Sequence, residues 1–192
     1  MKKLLLLAPL ALAACNSGSK VEATNASVEE VANQVAASGA APQLSPGRWE
    51  GSATILSMEI PGMPPEAAAQ MKSAMGTATP FASCLTPEQA KKPAADFFAG
   101  GAQKDCTYEK FTMADGKLDA KMQCKSSGMT IDMTMDGKFA SDNFQLAMTS
   151  KSAGIPGQPA SAHTMNMKME ARRTGECNGT ESKAPTPPGK AS

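Results

Sequence analysis

The sequence predicts a mainly β domain, a curved antiparallel meander of barrel-like or half-barrel form with one or two short helices. Three observations lead to this prediction. Apolar and polar residues alternate over several segments, as in 129–136, with the period of a half-buried strand. Residues typical of turns separate these segments. The length of 192 residues, of which 41% are hydrophobic, suits one core.

Residues 1–14 are predicted to be a lipoprotein signal peptide. Lys2 and Lys3 precede an apolar run over 4–14, which is shorter than the roughly 20 residues that span a bilayer. The run ends in Leu12-Ala13-Ala14-Cys15, which resembles the bacterial lipobox. This resemblance implies cleavage before Cys15 and acylation of that residue. We therefore expect a chain that is lipid-anchored in the bacterial cell envelope and faces the periplasm, on the outer membrane by the enterobacterial sorting rule for Asn16.

Both ends of the mature chain are predicted to be flexible. Residues 15–45 hold the lipidated cysteine and then small polar residues, which bury too little apolar area to offset the ordering entropy. Within them, Ser27-Val28-Glu29-Glu30 fits a capping box and predicts a short helix. Residues 178–192 contain Ala-Pro-Thr-Pro-Pro-Gly and are predicted to be a disordered tail. The folded domain is then 46–177.

The first part of this domain is predicted to contain one strand and two short helices. The strand covers 48–60 and ends at a Pro-Gly-Met-Pro-Pro break. The first helix covers 66–75, behind Pro65 at an N1-like position. The second begins with Thr86 as N-cap and stops before Pro93.

The remainder is predicted to consist of strands. Strands 106–113 and 117–124 flank a three-residue hairpin loop, 114–116. The strand that starts at Met129 contains a bulge at 136–138 and ends at a turn over 140–143, although a tight turn at Asp136-Gly137 fits nearly as well. A strand from Phe144 and a last strand over 163–173 complete the domain.

Several short motifs, taken in order, resemble the proteobacterial domain of unknown function 3617 family. They are Pro46-Gly47-Arg48-Trp49-Glu50, Ile60-Pro61-Gly62-Met63-Pro64, Cys84-Leu85-Thr86-Pro87-Glu88, Asp105-Cys106 and Arg172-Arg173-Thr174-Gly175-Glu176-Cys177. The resemblance covers about 45–177. It implies a small exported β-rich domain with paired cysteines, frequently a lipoprotein, that has no assigned activity and no catalytic residues to carry over.

Four cysteines besides Cys15 predict two disulfides in an oxidising compartment, with three possible connectivities. A hairpin loop at 114–116 places Cys106 directly opposite Cys124. Cys84 and Cys177 then form the second pair. Metal ligation by the four cysteines is the alternative, but the sequence has no Cys-x-x-Cys.

The sequence predicts no catalytic site and no cofactor. It has a single His and lacks the Gly-x-Ser-x-Gly, His-Glu-x-x-His and glycine-loop patterns, and Asp132 and Asp136 are expected to be solvated. A formal charge of +1 without a long basic run argues against nucleic acid as a partner. We therefore expect a non-catalytic binding or interaction domain, with an unknown envelope protein or an apolar ligand as partner.

The 14 methionines suggest an alternative, a copper- or metal-handling envelope protein. Thioethers select Cu(I), and three of them alternate beside the single histidine: Met165, Met167, Met169 and His163. Against a metal site, methionine also fills irregular cores. The two interpretations differ in whether these side chains enter a core or converge on an open cleft. A third possibility is a purely structural tethered spacer.

Overall fold

The computed structural model describes residues 19–91, 105–126, 128–154 and 162–183. In these residues, nine strands form one open, curved sheet in the order β1-β4-β5-β6-β7-β8-β2-β3-β9, accompanied by three helices. Neighbouring strands are antiparallel except β3 and β9. The mainly β prediction is confirmed. The elements are β1 Lys20–Ser27, α1 Val28–Ser38, β2 Gly47–Glu59, α2 Pro65–Ala74, β3 Thr79–Leu85, α3 Pro87–Lys91, β4 Cys106–Ala114, β5 Lys117–Ser126, β6 Met129–Phe139, β7 Asn143–Ser152, β8 His163–Gly175 and β9 Ser182–Lys183.

The prediction of a flexible tether over 15–45 is wrong from Lys20 onwards, because this segment forms β1 and α1. The capping box that starts α1 is present: the Glu30 N–H donates to Ser27 Oγ (3.2 Å), and the Ser27 N–H donates to Glu30 Oε2 (2.8 Å). Val28, Val31 and Val35 are buried against the sheet. The composition of this segment suggests disorder, but its buried valines hold it against the sheet. Residues 15–18 lie outside the described part of the chain.

The β4–β5 hairpin differs by one residue from the predicted one. Ala114 pairs with Lys117, so the turn has only two residues, Asp115 and Gly116, both with positive φ (51° and 70°). This is the type I′ geometry that matches the twist of the strands. A bulge at Glu109 then shifts the register by one. The two differences compensate, and Cys106 lies opposite Cys124 as predicted.

The two disulfides have the predicted pairing, Cys106–Cys124 and Cys84–Cys177. The first joins neighbouring strands inside the core, where both cysteines are buried. The second joins the end of β3 to the segment that follows β8.

The predicted bulge at 136–138 is wrong, because the register of β6 is continuous with both β5 and β7. The alternative turn at Asp136-Gly137 is also wrong, and the chain turns after Phe139, near the predicted 140–143. Gly137 has a packing reason: a Cβ there would lie 2.6 Å from Cε2 of Phe139. The glycine leaves space for this ring, which stacks on Phe144 with centroids 5.8 Å apart.

The prediction of a disordered tail over 178–192 is wrong for 178–183, whereas 184–192 lie outside the described residues. Arg48 holds this segment, because its Nη1 lies 3.0 Å from oxygens of three residues, Asn178, Thr180 and Glu181. β9 then pairs in parallel with β3. The sequence pattern did not reveal β9. A few polar contacts beside the Cys84–Cys177 bridge therefore order residues without apolar side chains.

The core lies on one face of the sheet, named here the apolar face. Its larger cluster is formed by α1 and by β1, β4 and β5, and includes Tyr108, Phe111 and Leu118, each 1% exposed. A smaller cluster surrounds Trp49 and Phe144. Between them the apolar face continues across β6, β7 and β8 with half-buried methionines.

Candidate functional site

Helix α2 lies beside the end of β2 and is not packed like a core helix. Pro65 occupies its N1 position, as predicted, and none of its described side chains is buried. Ala68 and Met71, together with Met75 just after the helix, lie on one side and are half-buried, whereas most of the other side chains are exposed. The Gly76 N–H donates to the Ile55 carbonyl (2.9 Å), which returns the chain to β2.

A cavity of about 800 Å³, the α2 cavity, lies between α2 and the ends of β2 and β8. Its large apolar lining residues are Leu56, Met58, Ile60, Met63, Met71 and Met75. Leu56 is the extra residue of a bulge in β2 and is 56% exposed. Bulges of this kind re-aim side chains and are frequent beside binding sites. The cavity thus combines four thioethers with two branched aliphatic side chains.

Three ionisable residues also line the α2 cavity: Glu59, Lys72 and His163. Lys72 is exposed on α2, four residues after Ala68 and three before Met75, so it shares their side of the helix. It makes no ion pair with any described carboxylate. Ser152 lies directly opposite His163, and its hydroxyl contacts Met129 Sδ (3.9 Å) and accepts from the Gly154 N–H (3.3 Å).

The structure places the predicted methionine–histidine set on one face of β8, since all four residues alternate along the strand. Met165, Met167 and Met169 are half-buried, and Met169 packs against both core clusters. His163 shares the α2 cavity with a different set, namely Met58, Met63, Met71 and Met75. The sequence pattern does not reveal this set, because its members come from β2, a loop and α2, although the i, i+4 spacing of Met71 and Met75 is a signal.

A second, smaller cavity of about 420 Å³ lies over the opposite face of the sheet. Its charged residues are largely satisfied within the sheet. Lys110 Nζ lies 2.6 Å from Asp119, and Lys121 Nζ lies 2.5 Å from Glu109, whose hydrogen bond and charge raise the pKa of Lys121. Charges already paired in this way leave little for a ligand to bind.

Asp132 and Asp136, which are predicted to be solvated, lie on β6. Asp132 accepts a hydrogen bond from Gln123 Nε2 (2.9 Å), and Asp136 is exposed. In the described part of the chain, no three His, Cys, Asp or Glu side chains are grouped so as to hold a metal ion. Of the described helices, none has the length and apolar character to cross a membrane. Cys15, the predicted lipidation site, lies outside the described residues.

Residues 44–177 match a family described as a protein of unknown function, DUF3617. The chain belongs to the DUF3617 family. The predicted resemblance is therefore confirmed. No curated protein and no solved structure matches the chain. The DUF3617 region starts after α1 and includes both disulfides and the whole α2 cavity.

One DUF3617 motif contributes Ile60, Pro61 and Met63 to the lining of the α2 cavity, whereas residues of two other motifs have structural roles away from it. The Trp49 indole N–H donates to the Ser45 carbonyl (3.0 Å), and its ring lies 6.0 Å from that of Phe144. Thr86 and Gln89 form a reciprocal cap at the start of α3. Trp49 and Thr86 therefore account for the fold, whereas the motif at 60–64 also contributes to the α2 cavity.

Proposed function

We propose that this DUF3617 protein is a lipid-anchored protein of the bacterial envelope whose domain binds an apolar ligand without catalysis, and that the α2 cavity is the binding site. The observation that carries the proposal is a helix whose apolar side borders a cavity instead of a core. The volume of about 800 Å³ falls in the range of small-molecule sites, about 300–1,000 Å³. Methionine side chains are flexible and adapt to ligands of varied shape.

A binding role is favoured over catalysis by the state of the polar groups at the cavity. Ser152 is the hydroxyl nearest in the pairing scheme to His163, but it is 6% exposed and its contacts are with Met129 and Gly154. A serine nucleophile needs a hydrogen bond to its base and an open path to the substrate. The described contacts of Ser152 supply neither.

The anchor is proposed at Cys15, and β1 gives it a structural consequence. Five residue steps lead from Cys15 to Lys20 at the start of β1, and they span at most about 18 Å when extended. An acylated Cys15 would thus hold the sheet close to the bilayer by the Lys20 end of β1. Cys15→Ser should release the protein from membranes, because two or more acyl chains provide stable attachment. Cys15→Ser protein that still sediments with membranes after a salt wash would contradict the anchor.

Ligand binding is testable with the chain from Asn16 to Ser192, which contains every described element. The probe is N-phenylnaphthylamine, a neutral dye whose fluorescence rises in apolar surroundings. Met71→Asp places a carboxylate at the cavity and should weaken binding by about tenfold or more, since burying an unpaired charge is costly. Gln70→Asp adds the same charge on the exposed side of α2 and should leave binding unchanged.

Three outcomes would overturn the proposed site. They are no dye binding by the unsubstituted chain, equal binding by the unsubstituted and Met71→Asp chains, and equal weakening by Met71→Asp and Gln70→Asp. Circular dichroism and thermal unfolding of all three chains check that the sheet is intact. A dye that binds independently of Met71 would indicate the methionine surface of β6–β8 instead.

A second candidate is Cu(I) handling, favoured by the single histidine lying in the same cavity as four thioethers. The combined variant Met58→Leu, Met71→Leu and Met75→Leu keeps the apolar volume but removes three sulfurs. A copper site predicts that this variant loses Cu(I) uptake, measured anaerobically against a competing chelator, while dye binding persists. Equal uptake by both forms, or none by either, would end the copper candidate.

A further inference from the structure

We infer that the ligand of the α2 cavity is a long-chain carboxylate whose head group binds at Lys72, an inference that rests on the proposed function. A ligand that is wholly apolar would leave the Lys72 ammonium at the cavity without a partner. No described carboxylate pairs with it, and it is the one described lysine in the lining of the α2 cavity. A carboxylate with a long hydrocarbon chain satisfies the ammonium and the thioether lining together.

The placement of charges around the cavity decides the sign of the head group. Lys72 lies on the same side of its helix as Ala68 and Met75, so its stem continues the apolar lining up to the charge. Glu59, the acidic residue of the lining, alternates with Met58 along β2 and therefore belongs to the opposite face of the strand. The positive group thus accompanies the thioethers of α2, and the negative group is set apart from Met58.

Lys72 also has a structural role, because a cation in the last turn of α2 stabilises the helix dipole. The test must therefore separate binding from helix stability. It compares hexadecanoate, hexadecanol and hexadecylamine as competitors of N-phenylnaphthylamine on the chain from Asn16 to Ser192, at a pH where the carboxylate is ionised. The measured quantity is the ratio of hexadecanoate to hexadecanol affinity.

We expect a ratio of about five for the unsubstituted chain, the size of a partly exposed ion pair. Lys72→Gln should reduce the ratio to about one and leave hexadecanol binding unchanged, which a loss of helix structure would not do. Lys117→Gln removes the same charge at the opposite end of the sheet and should retain the ratio. Glu59→Gln should not lower it.

The outcomes separate this inference from the proposed function. A ratio of one in the unsubstituted chain, tighter binding of hexadecylamine than hexadecanoate, or a ratio that survives Lys72→Gln would overturn the carboxylate while leaving an apolar site. Failure of all three competitors to displace the dye, or displacement from the Met71→Asp chain with unaltered affinity, would overturn the α2 cavity as the site.

Discussion

Removing the Cys84–Cys177 cross-link should cost more stability than removing Cys106–Cys124, because it closes the longer loop. The cysteines are 93 residues apart in the first bridge and 18 in the second. The chain-entropy relation then gives about 4.7 and about 3.2 kcal/mol at 25 °C. The shorter bridge lies within the longer loop and bypasses 18 of its 93 residues, which lowers the first value only to about 4.5 kcal/mol.

The comparison needs single-bridge proteins measured against themselves. Cys106 and Cys124 are buried, 6% and 7% exposed, so their replacement by alanine also removes packing. One variant therefore carries Cys106→Ala and Cys124→Ala, the other Cys84→Ala and Cys177→Ala. Each is unfolded by denaturant in oxidised and reduced form, and the difference in the free energy of unfolding isolates the cross-link. We expect the two differences to be separated by about 1.5 kcal/mol.

Two results would refute this reasoning. Equal or reversed differences would mean that loop length does not set the contribution of each bridge, for example because Arg48 and Glu181 keep the C-terminal segment in place without the disulfide. A non-reducing peptide map that links Cys84 to Cys106 would overturn the pairing itself. Both bridges together are a large part of a typical stability of about 5–15 kcal/mol, so reductant should weaken the unsubstituted domain sharply.

Three further predictions concern the acidic limit of stability, α1 and the methionines of β8. The backbone N–H of Asn178, followed by that of Glu181 itself and by the Arg48 guanidinium, lowers the pKa of Glu181 from 4.5 to about 2. The stabilisation is therefore complete above about pH 4.5 and is lost as the pH falls towards 2, and the melting temperature of Glu181→Gln should lack this part of the pH dependence. Val31→Ala should cost about 2 kcal/mol in denaturant unfolding because Val31 is 2% exposed, whereas Gln34→Ala on the exposed side should change stability by less than about 0.5 kcal/mol, and equal effects would contradict a packed α1. Leucine substitution of the three β8 methionines, Met165, Met167 and Met169, should cost less than about 1.5 kcal/mol per site and leave Cu(I) uptake unchanged. A loss of uptake would indicate that the copper site lies on β8.

The strands of the central meander were predictable because both determinants of a strand are local. Alternation fixed which residues share a face, and turn residues fixed where a strand ends, as at Phe139. The pairing register between strands depends less on the local sequence than the strands themselves do. The two-residue turn at Asp115-Gly116 and the bulge at Glu109 each displace the pairing by one, in opposite senses. The predicted cysteine pairing was therefore correct through a cancellation that no count of loop residues could reveal.

The predictions of a flexible tether and a disordered tail, which rested on composition, were wrong for the described residues because contacts distant in sequence hold these segments in place. β1 pairs with β4, more than 80 residues away, as in Val21 opposite Met113. The segment after Cys177 is held by Arg48 near the start of the domain. Composition indicates how much apolar area a segment can bury by itself, but it does not indicate the apolar area that is buried when another segment packs against it.

Individual elements of the α2 cavity could be predicted from the sequence, but the cavity itself could not. The helix and its methionine spacing were evident, but a 3.6-residue period indicates only that a helix has an apolar side, not whether that side meets a core or a cavity. That distinction depends on the bulge at Leu56 and on the return of the chain at Gly76. The sequence therefore favoured β8 for the thioether site, whereas the structure brings His163 to the methionines of β2 and α2.

The positions of β1 and of the α2 cavity set the direction from which a ligand arrives. Because neighbouring strands run antiparallel, Lys20, the start of β2 and the end of β8 lie towards one end of the sheet, and Glu59 and His163 lie at the other. The strand register places Lys20 level with Glu170 of β8, seven residues from His163, so the cavity and the start of β1 are about 23 Å apart along the strands. Under the proposed anchor, a short link at Cys15 would hold the Lys20 end of the sheet at the bilayer and the cavity away from it. Its ligand would be exchanged with the aqueous compartment or with a partner there, not drawn laterally from the membrane that carries the protein.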